Sequence, residues 1–339
     1  RQMCIRDSPM VESKKFIVVT VIFIVAIVAI AIVFNREPLS STDSSAKTSE
    51  RQISVVATFY PLQQLTAAVV GDLGEVKVIV PAGMEPHDYE PSIGDIRSIY
   101  DADLFVINGA GMDAWAEKLM PELESKEVQS LRFADKVELI RAEEDLEHEE
   151  SQEDATTADT QDHGEWDPHF WLDPKAAKDL VGAVTGGLSG KFPEQRAVFE
   201  SNALRVVAEL NTLDDEYRTG LAACIKDEVV TSHDAFRYLS ARYGFETHAI
   251  AGLSPNEEPS PKRLVELTAE VKAEGIKYIF FEALVSPKMA ETLARETGTE
   301  TLVFDPIEGV SDVDSAMGVN YFSLMRDNLA ALRKALECK

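Results

Sequence analysis

The chain has 339 residues, 45% of them hydrophobic, enough to fill the cores of two ordinary domains; this excludes a disordered or low-complexity protein. Its formal net charge of −26 excludes nucleic acid and anionic lipid as partners held by charge, and it tolerates cationic ones.

Residues 1–9 lie before Met10 and read as a non-native or scar segment, set aside from fold reasoning. Residues 10–35 hold two lysines and then an uncharged run, 16–34, of 19 residues with Thr20 as its one polar side chain. As a helix the run spans about 28 Å, close to the hydrocarbon thickness of a bilayer. It is read as an uncleaved anchor, with Lys14 and Lys15 cytoplasmic and the body of the chain extracytoplasmic, at the cell surface or in the periplasm. Ala29-Ile30-Ala31 has the small-x-small form of a signal-peptidase site, so export by a cleaved signal peptide is the alternative. No cysteine directly follows the run, and a lipid anchor is not expected. The Ser/Thr-rich residues 36–52 read as a polar tether.

Beyond the tether, short β-branched runs alternate with amphipathic stretches, the pattern of α/β domains with mainly parallel sheets. Strands are expected at ISVVAT (53–58), VKVIV (76–80) and LFVIN (104–108), with helices near 62–70, 92–101 and 113–125. Residues 141–167 carry 12 Asp or Glu against one Arg, with His148 and His163 embedded, and 141–166 is read as a solvated acidic loop. A proline-led stretch, 193–223, has no internal proline and no glycine before Gly220, which predicts one long rigid helix. A second set of strands follows at EVVTSH (228–233), THAIAG (247–252), KYIFFE (277–282) and TLVFD (301–305), with helices near 234–243, 261–274 and 286–297. The last stretch places Val319, Phe322, Met325, Leu329, Leu332 and Leu336 on one helical stripe that docks on the core. The expected organisation is an N-terminal α/β lobe (53–190), a linking helix (191–223) and a C-terminal α/β lobe (224–339). Cys224 and Cys338, both in the exported part, are expected to form a disulfide.

Three of the six histidines sit in special contexts. His87 lies in PAGMEPHDYEPS, a loop stiffened by Pro81, Pro86 and Pro91. His169 lies in EWDPHFWLDP (165–174), between two Asp-Pro pairs and just before a helix. His233 follows EVVTS at the carboxyl end of a strand, and Asp305 ends TLVF at another. Loops beyond the carboxyl ends of parallel strands face the cleft where α/β proteins bind ligands. These four residues, from four separate loops, are therefore expected to converge between the lobes. Three imidazoles and a carboxylate suit Zn²⁺. Asp167 or Asp173 is placed behind His169 to accept its other ring N–H, and Glu282 faces the same cleft as an acceptor or helix N-cap neighbour. His248 is read as structural, and His148 and His163 as parts of a solvated loop.

The motifs GMEPHDYEPS, DPHFWLDP, EVVTSHDAFRYLSARYG, GLSPNEEPSPKRL, FFEALVSPK and VFDPIEG, with the long helix between them, resemble the extracytoplasmic metal-binding proteins of zinc and manganese ABC importers over residues 53–337. The resemblance implies two lobes joined by a helix, a metal buried between them, and His87, His169, His233 and Asp305 as its ligands. In that family histidine at the third position accompanies zinc and glutamate accompanies manganese, so His233 points to zinc. The implied function is capture of extracellular Zn²⁺ by a monomer and delivery to a membrane permease with its cytoplasmic ATPase. Uptake of manganese or iron is the alternative. The acidic character of 141–166, where zinc members often carry a histidine-rich loop, departs from the pattern. A secreted zinc hydrolase is disfavoured because no HExxH appears and four ligands would fill the tetrahedron. An adhesin or siderophore-type binder would need a cleft rich in aromatics or arginines. No GxxxxGK[ST] phosphate loop is present, and no enzymatic activity is expected.

Overall fold

The computed structural model describes residues 52–142 and 165–339, and Gln52–Lys339 forms one compact unit. The expected anchor, the tether, His148, His163 and most of the acidic stretch lie outside the described residues. Among those described, no helix is long and apolar enough to cross a membrane.

Two four-stranded parallel sheets carry the fold. The first contains β1 (Ile53–Ala57), β2 (Gly74–Val78), β3 (Leu104–Ile107) and β4 (Ser130–Arg132), in the order β2-β1-β3-β4. The second contains β5 (Glu228–Thr231), β6 (Glu246–Ala249), β7 (Tyr278–Phe281) and β8 (Glu300–Val303), in the matching order β6-β5-β7-β8. Every strand pair is parallel, with Val55 opposite Val76 and Leu104 in the first sheet, and Val230 opposite His248 and Ile279 in the second. Central strands are covered on both faces, which explains their unbroken apolar runs: all four residues of β3 are buried.

Helices α1 (Tyr60–Val70), α2 (Ile93–Tyr100), α3 (Ala114–Ser125) and α4 (Pro174–Lys191) accompany the first sheet. Asp173 caps α4 by accepting from Lys175 N at 2.8 Å, and Pro174 opens its first turn. The long helix α5 (Arg196–Leu221) runs 26 residues. It starts three residues later than the proline suggested, because Phe192 O accepts from Gln195 N and turns the chain first. Its buried face, Phe199, Asn202, Ala203, Val206, Leu210, Leu213 and Tyr217, follows helical spacing. The second sheet carries α6 (Arg237–Tyr243), α7 (Pro261–Glu274), α8 (Lys288–Thr297), the short α9 (Asp312–Ala316) and α10 (Tyr321–Ala335).

One apolar cluster runs through both halves, from Val55, Leu62 and Trp171 through Leu210 and Tyr217 to Phe236, Phe304 and Leu332. Polar ties cross the same boundary: Tyr217 Oη donates to Met325 O at 2.6 Å, Tyr238 Oη to Asp167 O at 2.9 Å, and Arg242 pairs with Asp173. The expected disulfide joins Cys224, just past α5, to Cys338, just past α10. β4 went unforeseen because three residues, SLR, show no periodicity.

Candidate metal centre

The sequence-selected histidines meet at the carboxyl ends of the two sheets. His233 lies two residues beyond β5. His87 lies on the proline-stiffened loop after β2, and His169 begins a short 3-10 turn, Phe170–Leu172, ahead of α4. His169 and His233 are fully buried, and the His87 side chain is 10% exposed. His169 Nε2 is 3.3 Å from both His87 Nε2 and His233 Nε2.

The fourth group that meets them is Glu308. Its Oε1 lies 3.4 Å from each of the three Nε2 atoms. A tetrahedron whose ligands sit about 2.0–2.1 Å from its centre has edges of about 3.3–3.4 Å, so the spacing is that of a zinc coordination shell. Glu308 is 3% exposed and its Oε1 makes no hydrogen bond within the protein, as expected of an atom reserved for a ligand.

Asp305, the carboxylate selected from the sequence, is not among these donors. Its Oδ1 accepts from Ile307 N at 2.7 Å, while its backbone N and O bond to the Asn328 side chain at 2.8 and 2.6 Å. The side chain is engaged in shaping its own loop three residues before Glu308. Burial pushes the Asp305 carboxyl up to about 7, against the Ile307 N–H and with the help of Glu308 and Glu282.

Behind two of the imidazoles stand carboxylates that accept their other ring nitrogen. His169 Nδ1 donates to Asp167 Oδ1 at 2.8 Å, and His233 Nδ1 to Glu282 Oε1 at 2.5 Å. Both contacts place the ring proton on Nδ1 and leave the Nε2 lone pair facing the centre. Of the two candidates behind His169, Asp167 makes the ring contact; Asp173 is occupied with the α4 cap and Arg242. Trp171 packs beside His169 at 5.2 Å between ring centroids, and its Nε1 donates to Pro306 O at 2.7 Å, linking the His169 loop to the Glu308 loop.

The electrostatics favour a cation. Burial lowers the His233 and His169 imidazoles, but Glu282 and Asp167 respectively, together with Glu308, outweigh it and raise both above 6.5. Burial likewise pushes Glu308 up, yet the three surrounding imidazoles hold its carboxyl well below its ordinary value. A second group with ligand chemistry, Glu228, Glu246 and His248, sits at the β5–β6 edge. There His248 lies between Glu228 (3.1 Å) and Glu270 (3.4 Å) in a partly exposed ion-pair bridge.

Residues 55–335 match the family model described as ZnuA, zinc-uptake complex component A, periplasmic. The chain belongs to this family. It is 38% identical over 294 residues to the zinc-binding lipoprotein AdcA of Streptococcus pneumoniae strain R6, covering 87% of this chain and 58% of that protein. It is 37% identical over 303 residues to the high-affinity zinc uptake system protein ZnuA of Bacillus subtilis, covering 88% and 92%. The crystal structure of the Zn(II)-bound ZnuA-like domain of Streptococcus pneumoniae AdcA superposes with a TM-score of 0.70 at 37% identity, covering 84% of this chain and 99% of that one. This ZnuA-family chain thus spans little more than half the length of the AdcA proteins it matches.

Proposed function

We propose that this chain captures Zn²⁺ outside the cytoplasmic membrane and delivers it to an ABC permease, with His87, His169, His233 and Glu308 as the four ligands. The observation that carries the reading is one carboxylate oxygen equidistant, at 3.4 Å, from three imidazole nitrogens. Zinc takes three nitrogens and one oxygen in a tetrahedron readily, whereas Mn²⁺ favours more oxygen-rich, octahedral shells. Four protein donors leave no open position for a reactive water, which separates a capture site from a hydrolytic one. The relatives' names, zinc-binding and zinc uptake, support the cargo. The apolar run at 16–34 supports placement of the chain at the outer face of the membrane.

Calorimetric titration of chelator-stripped protein with Zn²⁺ and Mn²⁺, with His233→Ala alongside, tests the proposal. One tight equivalent of zinc, absent in the variant, with Mn²⁺ far weaker, is the expected result. Mn²⁺ binding as tight as zinc would transfer the function to manganese uptake.

A further inference from the structure

The chain reaches Glu308 by an unusual route. After β8 it passes through Phe304, Asp305 and Pro306 to Ile307, whose φ is +61°. A β-branched residue in the left-handed region is an outlier, because its Cβ crowds the following carbonyl there. Such a conformation persists only where the surroundings over-determine it. Here they do. The Asp305 carboxylate accepts from Ile307 N two residues on, the geometry of an Asx-turn. Asn328 holds the backbone of Asp305 at both N and O, Trp171 holds Pro306 O, and Gly83 N donates to Val310 O at 2.8 Å beyond the turn. The Ile307 side chain is itself fully buried in the core, so the residue cannot relax without withdrawing it.

We propose that Asp305 is a positioning residue for the fourth metal donor: by accepting Ile307 N–H it enforces the left-handed turn that swings the Glu308 carboxylate onto the three imidazoles. The inference rests on the zinc-capture reading of the centre. A strand continuing in extended conformation would send alternate side chains to opposite faces, and nothing in its periodicity would bring residue 308 to the centre. The turn replaces that alternation. It also explains why a buried carboxylate stands so close to the centre without being one of its donors.

The charge of Asp305 and its turn-forming geometry can be separated by two substitutions. Asp305→Asn retains an Oδ1 acceptor at the same reach and loses the charge. Asp305→Glu keeps the charge but places the carboxylate one methylene too far for the Asx-turn. Zinc affinity of the full chain is measured by competition with a chelator. Cobalt(II) absorption reports the coordination geometry, and circular dichroism of the metal-free forms reports folding. Asp305→Asn is expected to bind zinc within a few-fold of the parent. Asp305→Glu is expected to lose about 10- to 100-fold, as is usual when the support of a ligand is removed, with a weakened tetrahedral cobalt(II) band. The reverse order, Asn weak and Glu tight, would overturn the proposal in favour of a role for the charge itself. Parental affinity in both would show that Glu308 needs no such turn. His233→Ala and Glu308→Gln run in parallel: if these retain parental affinity, the metal-centre reading fails; if they lose it while both Asp305 variants bind normally, only the positioning role fails.

Discussion

Glu282→Gln isolates what a buried carboxylate contributes from behind a metal-binding imidazole. Glu282 is 3% exposed, and its Oε1 accepts both from His233 Nδ1 at 2.5 Å and from Ser232 Oγ at 2.6 Å. Glutamine preserves the volume and an acceptor oxygen, so the His233 tautomer survives and the charge alone is removed. Counting the Nδ1–Oε1 contact, the width of the ring and a zinc–nitrogen bond, that charge lies about 6–7 Å from the centre. Against a divalent ion this distance gives about 5 kcal/mol at an effective dielectric of 20. Burial lowers the His233 imidazole, but Glu282 and Glu308 outweigh it and raise it above its ordinary value, so part of this attraction already serves a proton in the metal-free site and only the remainder favours zinc. Taking that remainder as half leaves about 2–3 kcal/mol, or a roughly 30- to 100-fold loss of zinc affinity. Competition with a chelator at neutral pH measures it, with circular dichroism of the metal-free variant confirming the fold. Affinity within threefold of the parent would refute the reasoning and show that orientation, not charge, is the contribution of Glu282.

Titration should show two opposite trends. The raised His233 and His169 imidazoles stabilise the metal-free fold fully below pH 6.5 and lose that contribution as pH rises through their folded values, whereas depressed Glu308 contributes above its ordinary 4.5 and loses as pH falls through its folded value. The metal-free protein is therefore most stabilised by this cluster between about pH 4.5 and 6.5, while the zinc-induced rise in Tm grows as pH increases beyond that window, as calorimetric scans across pH 5–8 will show. Removing the Cys224–Cys338 bridge by a double serine substitution frees the ends of α5 and α10 and should cost about 2–5 kcal/mol, read from urea unfolding midpoints; an unchanged midpoint would mean that packing alone secures the C-terminal helix. Trp171→Phe leaves the buried Pro306 carbonyl without its donor and should cost about 1–3 kcal/mol in the same assay, with zinc affinity falling as well because the His169 and Glu308 loops lose their link.

Much of the fold was legible because its determinants are local. Buried parallel strands such as LFVI and YIFF announce themselves as short β-branched or aromatic runs, and the helices between them carry recognisable starts, as at Ser260-Pro261, where Ser260 Oγ accepts from Arg263 N. What escaped was short or set by tertiary contact. β4 is three residues pinned by its pairing with Phe105–Ile107, and α9 is a single capped turn, so neither spans a full period of any pattern. The start of α5 was misplaced because Pro193 reads as a first helical residue, while in the fold it belongs to the turn between α4 and α5.

The centre itself divides along the same line. His87, His169 and His233 could be chosen from the sequence because each stands beside proline or at a strand end, where loops point towards the cleft. Glu282 was legible for the same reason. Asp305 is chosen by the same rule as the expected end of TLVFD, and the rule offers nothing for Glu308 in the same VFDPIEG; β8 itself ends at Val303. The rule fails there because the decisive variable is the backbone angle at Ile307, and every propensity argues against an isoleucine in the left-handed region. Asp305 forms the turn, but it is held there by Asn328, 23 residues from Asp305, and by Trp171, 135 residues from the Pro306 carbonyl it holds. A local reading assigns each residue its commonest conformation. It must therefore miss a donor whose delivery depends on one residue being held out of that conformation by distant parts of the fold.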